Sequence, residues 1–80
     1  MMKNTYIATF YSHFGAIRYE RMLRKNGIRG QLMPVPRSLS SSCGTCVRFE
    51  AESWDTIEPQ EETEQIVQEQ ENEYICVYQS

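Results

Sequence analysis

The residues best suited to chemistry in this 80-residue chain are two cysteines three positions apart, Cys43 and Cys46. They lie in "PVPRSLSSSCGTCVRF", residues 34–49, behind a Pro36-Arg37 turn and a run of serines and just ahead of an apolar stretch. Such a pair can form a disulfide staple, supply half of a metal knuckle, act as a redox couple, or hold a single carrier thiol beside an incidental second one.

Each chemistry makes its own demand. If residues 43 to 46 were extended, their Cα atoms would lie ~10 Å apart, beyond the ~7 Å that a disulfide spans, so pairing needs a turn at Gly44-Thr45. A thioredoxin-type pair follows a strand and opens a helix, whereas this one leaves a loop and enters a strand-like segment. Structural zinc wants four ligands, commonly as two close pairs. The chain offers one close pair, a distant Cys76 and a single histidine, His13. Copper carriers on ferredoxin-like folds place Met-x-Cys-x-x-Cys after the first strand, where this chain reads "YSHFGA". No glycine-rich phosphate loop is present, and beyond His13 no base stands ready to pair with a nucleophile, which points to a carrier or accessory protein rather than an enzyme. No metal or cofactor is expected.

The elements that must position the pair follow from periodicity. "TYIATFY" (5–11) is rich in β-branched and aromatic residues and predicts a strand. Ser12 is a candidate N-cap for a helix over 13–26, with Ala16, Ile17, Glu20 and Leu23 at helical spacing and Arg18, Arg21 and Lys25 on the other side. Asn26-Gly27 supplies the stop. "IRGQLMPV" (28–35) predicts an edge strand, since Gly30 and Pro34 interrupt it. "TCVRFEA" (45–51) alternates, with Val47, Phe49 and Ala51 on one face and Cys46 on the other. Pro59 and the acids after it predict a second helix through about residue 71, with a thin stripe of Ile57, Thr63, Ile66, Val67 and Gln70. "EYICVYQ" (73–79) closes as a strand, with Cys76 as a small structural residue. The expected fold is α+β and ferredoxin-like, β-α-β-β-α-β: a four-stranded antiparallel sheet with two helices on one face, in a single domain over residues 1–80.

Composition bounds the function. A chain this short buries only about 60–65% of its unfolded surface, enough for one modest core. Hydrophobic residues make up 40% and charged residues 24%, which fits a folded domain. The opening "MMKNTYIATFY" is too polar for a signal peptide and no stretch reaches the ~18 apolar residues of a membrane span, so a cytoplasmic setting and no membrane partner are expected. Three cysteines, an odd number, also speak against a secreted disulfide framework. The charge is lopsided: all eight cations lie at or before Arg48, and ten of the eleven acids lie at or after Glu50. An arginine-rich first helix braced by a glutamate-rich second one would explain this. The acids would repel phosphates, so no nucleic-acid partner is expected.

In a split β-α-β unit the second strand runs parallel to the first with the third between them. The turn bearing Arg37, Ser40, Ser41, Ser42, Cys43 and Gly44 should therefore lie at the end where the first helix starts, close to Ser12 and His13. A helix N-terminus, Arg37 and His13 would then favour a thiolate or bound anion there. Gly44 would turn the chain with positive φ, and the serines would keep the loop mobile and offer donors. Cys46 is either a resolving thiol for Cys43 or a plain strand residue.

The stretches "YIATFYSHFGAIRYERMLRKNGI" and "LMPVPRSLSSSCGTCVRF" together resemble the small selenium/sulfur carrier protein-like family, long catalogued as a domain of unknown function. The resemblance covers residues 6–49; the acidic remainder carries no recognisable motif. It rests most on Pro36-Arg37 and on Ser41-Ser42-Cys43-Gly44 followed by Val47-Arg48-Phe49. It implies Cys43 as a carrier thiol that accepts a persulfide or perselenide, with Pro36, Arg37, Ser41, Ser42 and Gly44 as its supporting loop. It also implies protein partners of sulfur or selenium transfer, a desulfurase-like donor and a sulfur-relay or selenium-metabolism acceptor. Position 46 is one where the family pattern has a small residue such as alanine, so a redox role for the pair does not carry over. The competing expectations are a thiol-dependent regulatory or interaction module and a Cys43–Cys46 redox switch.

Overall fold

The computed structural model describes residues 3–80. Its elements are β1 (Asn4–Phe10), α1 (His13–Lys25), β2 (Gly30–Pro34), β3 (Thr45–Ala51), a 3-10 turn (Trp54–Thr56), β4 (Thr63–Gln70) and β5 (Glu73–Gln79). The five strands form one antiparallel sheet in the order β2-β3-β1-β4-β5. The expected β2 edge strand is present, and β1 and β2 run parallel with β3 between them.

The chain does not adopt the expected ferredoxin-like arrangement. One helix, not two, packs on the sheet, and the sheet has five strands, not four. The segment read as a second helix is β4, joined to β5 by a tight turn at Glu71-Asn72 in which Glu71 takes a φ of +47°. Its glutamates and glutamines favour helix locally, but Ile66 and Val67 are both buried, one on each face of the sheet. Adjacent side chains pointing to opposite sides satisfy a strand and cannot share one helical stripe. Tertiary burial of this β-branched pair overrides intrinsic propensity.

The helix forms where the sequence indicates and is closed at both ends. The Ser12 hydroxyl accepts a hydrogen bond from Gly15 N at 3.2 Å, which satisfies one of the free first-turn donors. At the other end Gly27 has φ +77°. Ile28 N donates to Leu23 O at 2.9 Å and Gly27 N to Arg24 O at 3.1 Å, the paired bonds of a Schellman closure. The buried stripe is Ala16, Tyr19, Glu20 and Leu23; Tyr19 takes the place expected for Ile17, which is half-buried. Glu20 keeps its charge paired through Arg24, at 2.7 Å.

Two apolar clusters sandwich the sheet. On the helix side Tyr6, Phe49, Tyr19 and Phe10 form a chain of tilted rings with centroids 5.3–5.9 Å apart, each pair contributing about 0.5–1.5 kcal/mol beyond area burial. On the opposite face Ile7, Cys46 and Val67 are covered by Met33, Val35, Leu39 and Tyr74. The β2–β3 loop thus folds back over the sheet, and that fold-back fixes where Cys43 sits.

Candidate functional site

The loop between β2 and β3 begins with a turn in which Leu39 N donates to Pro36 O at 3.0 Å, and its ends are joined by Val35 N donating to Gly44 O at 3.1 Å. Half-buried Pro36 fixes the backbone at the turn, and Leu39 anchors it in the second apolar cluster. The serines that follow are tethered, contrary to the expectation of a mobile loop. Ser41 Oγ donates to Phe10 O at 3.4 Å and Gln65 Nε2 donates to Ser40 O at 3.1 Å. Ser42 donates twice to the Glu64 carboxylate, from its N–H at 3.1 Å and from its hydroxyl at 3.0 Å. Thr9 Oγ1 donates to the same carboxylate at 3.3 Å.

Cys43, next in the chain, is half-buried, and its Sγ donates to Thr45 O at 3.5 Å. The loop lies at the pole where α1 begins, as the topology requires. His13 Nδ1 and Thr45 Oγ1 are 2.9 Å apart, and Ser12 at the helix cap hydrogen-bonds Glu62 on the approach to β4. Ser12, His13, Ser41, Ser42 and Cys43 therefore share one end of the molecule.

Three expected contributors behave differently. Arg37 is exposed and makes no hydrogen bond or ion pair among the described residues, so it lends the site no anchored charge. The carboxylates of Glu62 and Glu64 stand instead beside the helix start and the serines, which offsets positive potential from the helix terminus. Gly44 does not adopt positive φ, and a Cβ there would meet nothing within 4 Å; neither turn geometry nor packing demands glycine. Gly15 is the crowded one, since a Cβ built on it would collide with the side chain of Glu62.

The cysteines have three distinct environments and are all unpaired. Cys46 is fully buried on the sheet face away from α1, with Sγ 3.6 Å from Pro34 O. Burial, and secondarily the neighbouring Cys43, push its thiol up to about 11. A protonated, enclosed sulfur is a poor nucleophile, which weighs against a resolving role. Cys76, expected as a structural residue, is exposed on the edge strand β5, where its Sγ donates to Tyr78 O at 3.4 Å. Among the described residues no three His, Cys, Asp or Glu side chains converge as a metal site, and no helix is long and apolar enough to cross a membrane.

Sequence reasoning missed Glu64, Thr9 and Thr45 as partners of the site. The first was hidden by assigning its segment to a helix; a strand reading of "TEQIVQEQ" next to "EYICVYQ" would have placed Glu64 beside β1.

The structure is thus a small α+β domain with a half-buried thiol, Cys43, on a tethered loop at the end where α1 starts. Residues 5–79 match the family described as "Putative Se/S carrier protein-like", and the chain belongs to that family. The match extends through β4 and β5, so the acidic part that carried no recognisable motif is an integral part of the family domain. No curated protein and no solved structure shows significant similarity to the chain.

Proposed function

We propose that the protein is a carrier in which Cys43 accepts a sulfur or selenium atom from a donor protein and passes it to an acceptor. The Cys43 thiolate would attack the terminal sulfur of a persulfide on a donor cysteine. The donor's S–S bond breaks, the donor cysteine leaves as a thiolate, and a persulfide forms on Cys43 with no net oxidation. Delivery repeats the exchange with an acceptor thiol. A perselenide would follow the same course with the selenium atom transferred.

The observation that carries this reading is the contrast between Cys43 and Cys46. Cys43 is half-buried on the loop pinned by Ser41 and Ser42 at the end of the molecule where α1 starts, while Cys46 is enclosed by apolar packing. Family membership supports chalcogen as the cargo. The burial of Cys46 disfavours a two-thiol switch, which would need both sulfurs to meet.

The test is intact-protein mass spectrometry under non-reducing conditions after incubation with a cysteine desulfurase and cysteine, with selenocysteine and a selenocysteine lyase in a parallel arm. The mass of one added sulfur or selenium is expected. A loss of two hydrogens without addition would indicate an internal disulfide instead, and no change in either arm would leave an interaction module that carries no atom.

A further inference from the structure

We infer that the outward face of α1 is the docking surface for an acidic protein partner, one presenting an apolar side chain ringed by carboxylates. Phe14, Arg18, Arg21 and Lys25 follow one another at spacings of four, three and four residues, which aligns them along a single face of the helix. All four are exposed, and Phe14, at 69% exposure, is the most open large apolar residue among those described. Ile17 and Met22 join these four residues in lining a shallow groove. A packed core has no use for an aromatic ring left so open in the first turn of a helix.

The cations are unspent. Arg18, Arg21 and Lys25 form no ion pair among the described residues, since Glu20 is taken by Arg24 and the other ion pair joins Arg48 to Glu69. A second, acidic helix lying beside α1 would have neutralised them. Apart from Glu20 on α1 and Glu50 on β3, the acids occupy β4, β5 and their connections, and neither of those strands makes more than marginal contact with α1. The charge asymmetry of the sequence is thus left open on this face for a partner to complement.

Position links this face to the candidate thiol. Phe14 follows His13, whose ring contacts Thr45, two residues beyond Cys43. A protein seated on Phe14 reaches the loop end of the molecule with the cations behind it, as a donor or acceptor of a carried atom must. The assignment rests on the carrier reading only for why a partner comes here, not for the surface itself. A nucleic acid or an anionic membrane would also meet the cations. The groove lined by Phe14, Ile17 and Met22 lies among them, however, which suits a protein knob better than a phosphate backbone. The apolar stripe of α1 is already committed to the core, which leaves little to insert into lipid.

The experiment measures fluorescence anisotropy of a labelled amphipathic helical peptide with leucines flanked by glutamates, against the full chain at low salt. Parallel probes are the same peptide with lysine in place of glutamate, a single-stranded RNA, and phosphatidylserine vesicles. The glutamate peptide is expected to bind and the lysine peptide to fail. Arg18→Glu/Arg21→Glu should weaken binding about tenfold or more, and Phe14→Ser should weaken it several-fold with an unchanged melting curve. Arg21→Glu should lose more than Gln31→Glu/Gln79→Glu, which alters net charge equally on exposed strand positions. Equal losses in those two variants, no binding of the glutamate peptide, or tighter binding of RNA or vesicles would overturn the assignment. Cys43→Ser should bind the peptide as wild type does, so the docking face and the carrier thiol stand or fall separately.

Discussion

The Glu64 carboxylate receives both the backbone N–H and the hydroxyl of Ser42, at 3.1 and 3.0 Å, and so fastens the residue before Cys43 to strand β4. The same carboxylate takes the Thr9 hydroxyl from β1. One side chain therefore ties the loop to both β1 and β4 and fixes the residue that precedes Cys43.

Replacing Glu64 with alanine should free the loop. Hydrogen bonds to a charged acceptor contribute about 1.5–3 kcal/mol each when well formed, less where exposed as here. The expected outcome is a stability loss of about 1–2 kcal/mol with new proteolytic cleavage within residues 37–44. Limited proteolysis of the folded variant checks it, and an unaltered digestion pattern would remove Glu64 as the tether.

The two glycines flanking the site should differ in their tolerance of a methyl group. Gly15→Ala drives a methyl group into the Glu62 side chain, and overpacking of this kind costs about 1–3 kcal/mol. Gly44→Ala enters open space at ordinary φ and should leave stability within about 0.5 kcal/mol. Urea unfolding of both variants separates them.

Cys46 should make stability depend on alkaline pH. Its thiol is raised to about 11 from an ordinary 9.0, so the unfolded chain ionises first. Its contribution is therefore complete below about pH 9 and is lost progressively as pH climbs towards 11. Cys46→Ala should flatten that decline in denaturant titrations. In the folded protein at neutral pH, iodoacetamide should label Cys43 and Cys76 and spare Cys46 until denaturant is added.

Tyr19 offers a stability gain. Its hydroxyl is buried without a hydrogen-bond partner among the described residues, and burial raises its pKa. An orphaned hydroxyl costs about 1–3 kcal/mol. Tyr19→Phe keeps the ring packed between Phe10 and Phe49 and should raise the thermal midpoint; a lower midpoint would reveal a partner for the hydroxyl.

The first two-thirds of the chain was legible because each local signal agreed with its tertiary role. Ser12 caps, Gly27 closes, and alternation in 45–51 separates Cys46 from Val47 and Phe49 as observed. The pole shared by His13 and the Cys43 loop followed from topology alone. Beyond Pro59 the signals conflicted. Glutamate and glutamine favour helix, and only the adjacent buried pair Ile66-Val67 spoke for a strand, too short a cue to outweigh composition. The hairpin also turns through Glu71-Asn72 without the glycine that usually marks such a turn. Strand β4 in place of a second helix brings Glu64 to the loop, leaves the α1 arginines without an acidic helix beside them, and makes the site less electropositive than the sequence suggests.

Whether Cys43 is the thiol that holds the carried atom is decided by locating the added chalcogen. After loading by a desulfurase with cysteine, the protein is trapped with a persulfide-selective alkylating agent, digested, and its cysteine peptides sequenced by mass spectrometry. The trapped sulfur is expected on Cys43 in the wild type, in Cys46→Ala and in Cys76→Ser, with none in Cys43→Ser. Sulfur retained by Cys43→Ser, or found in the wild type on exposed Cys76 in place of Cys43, would rule Cys43 out as the carrier thiol.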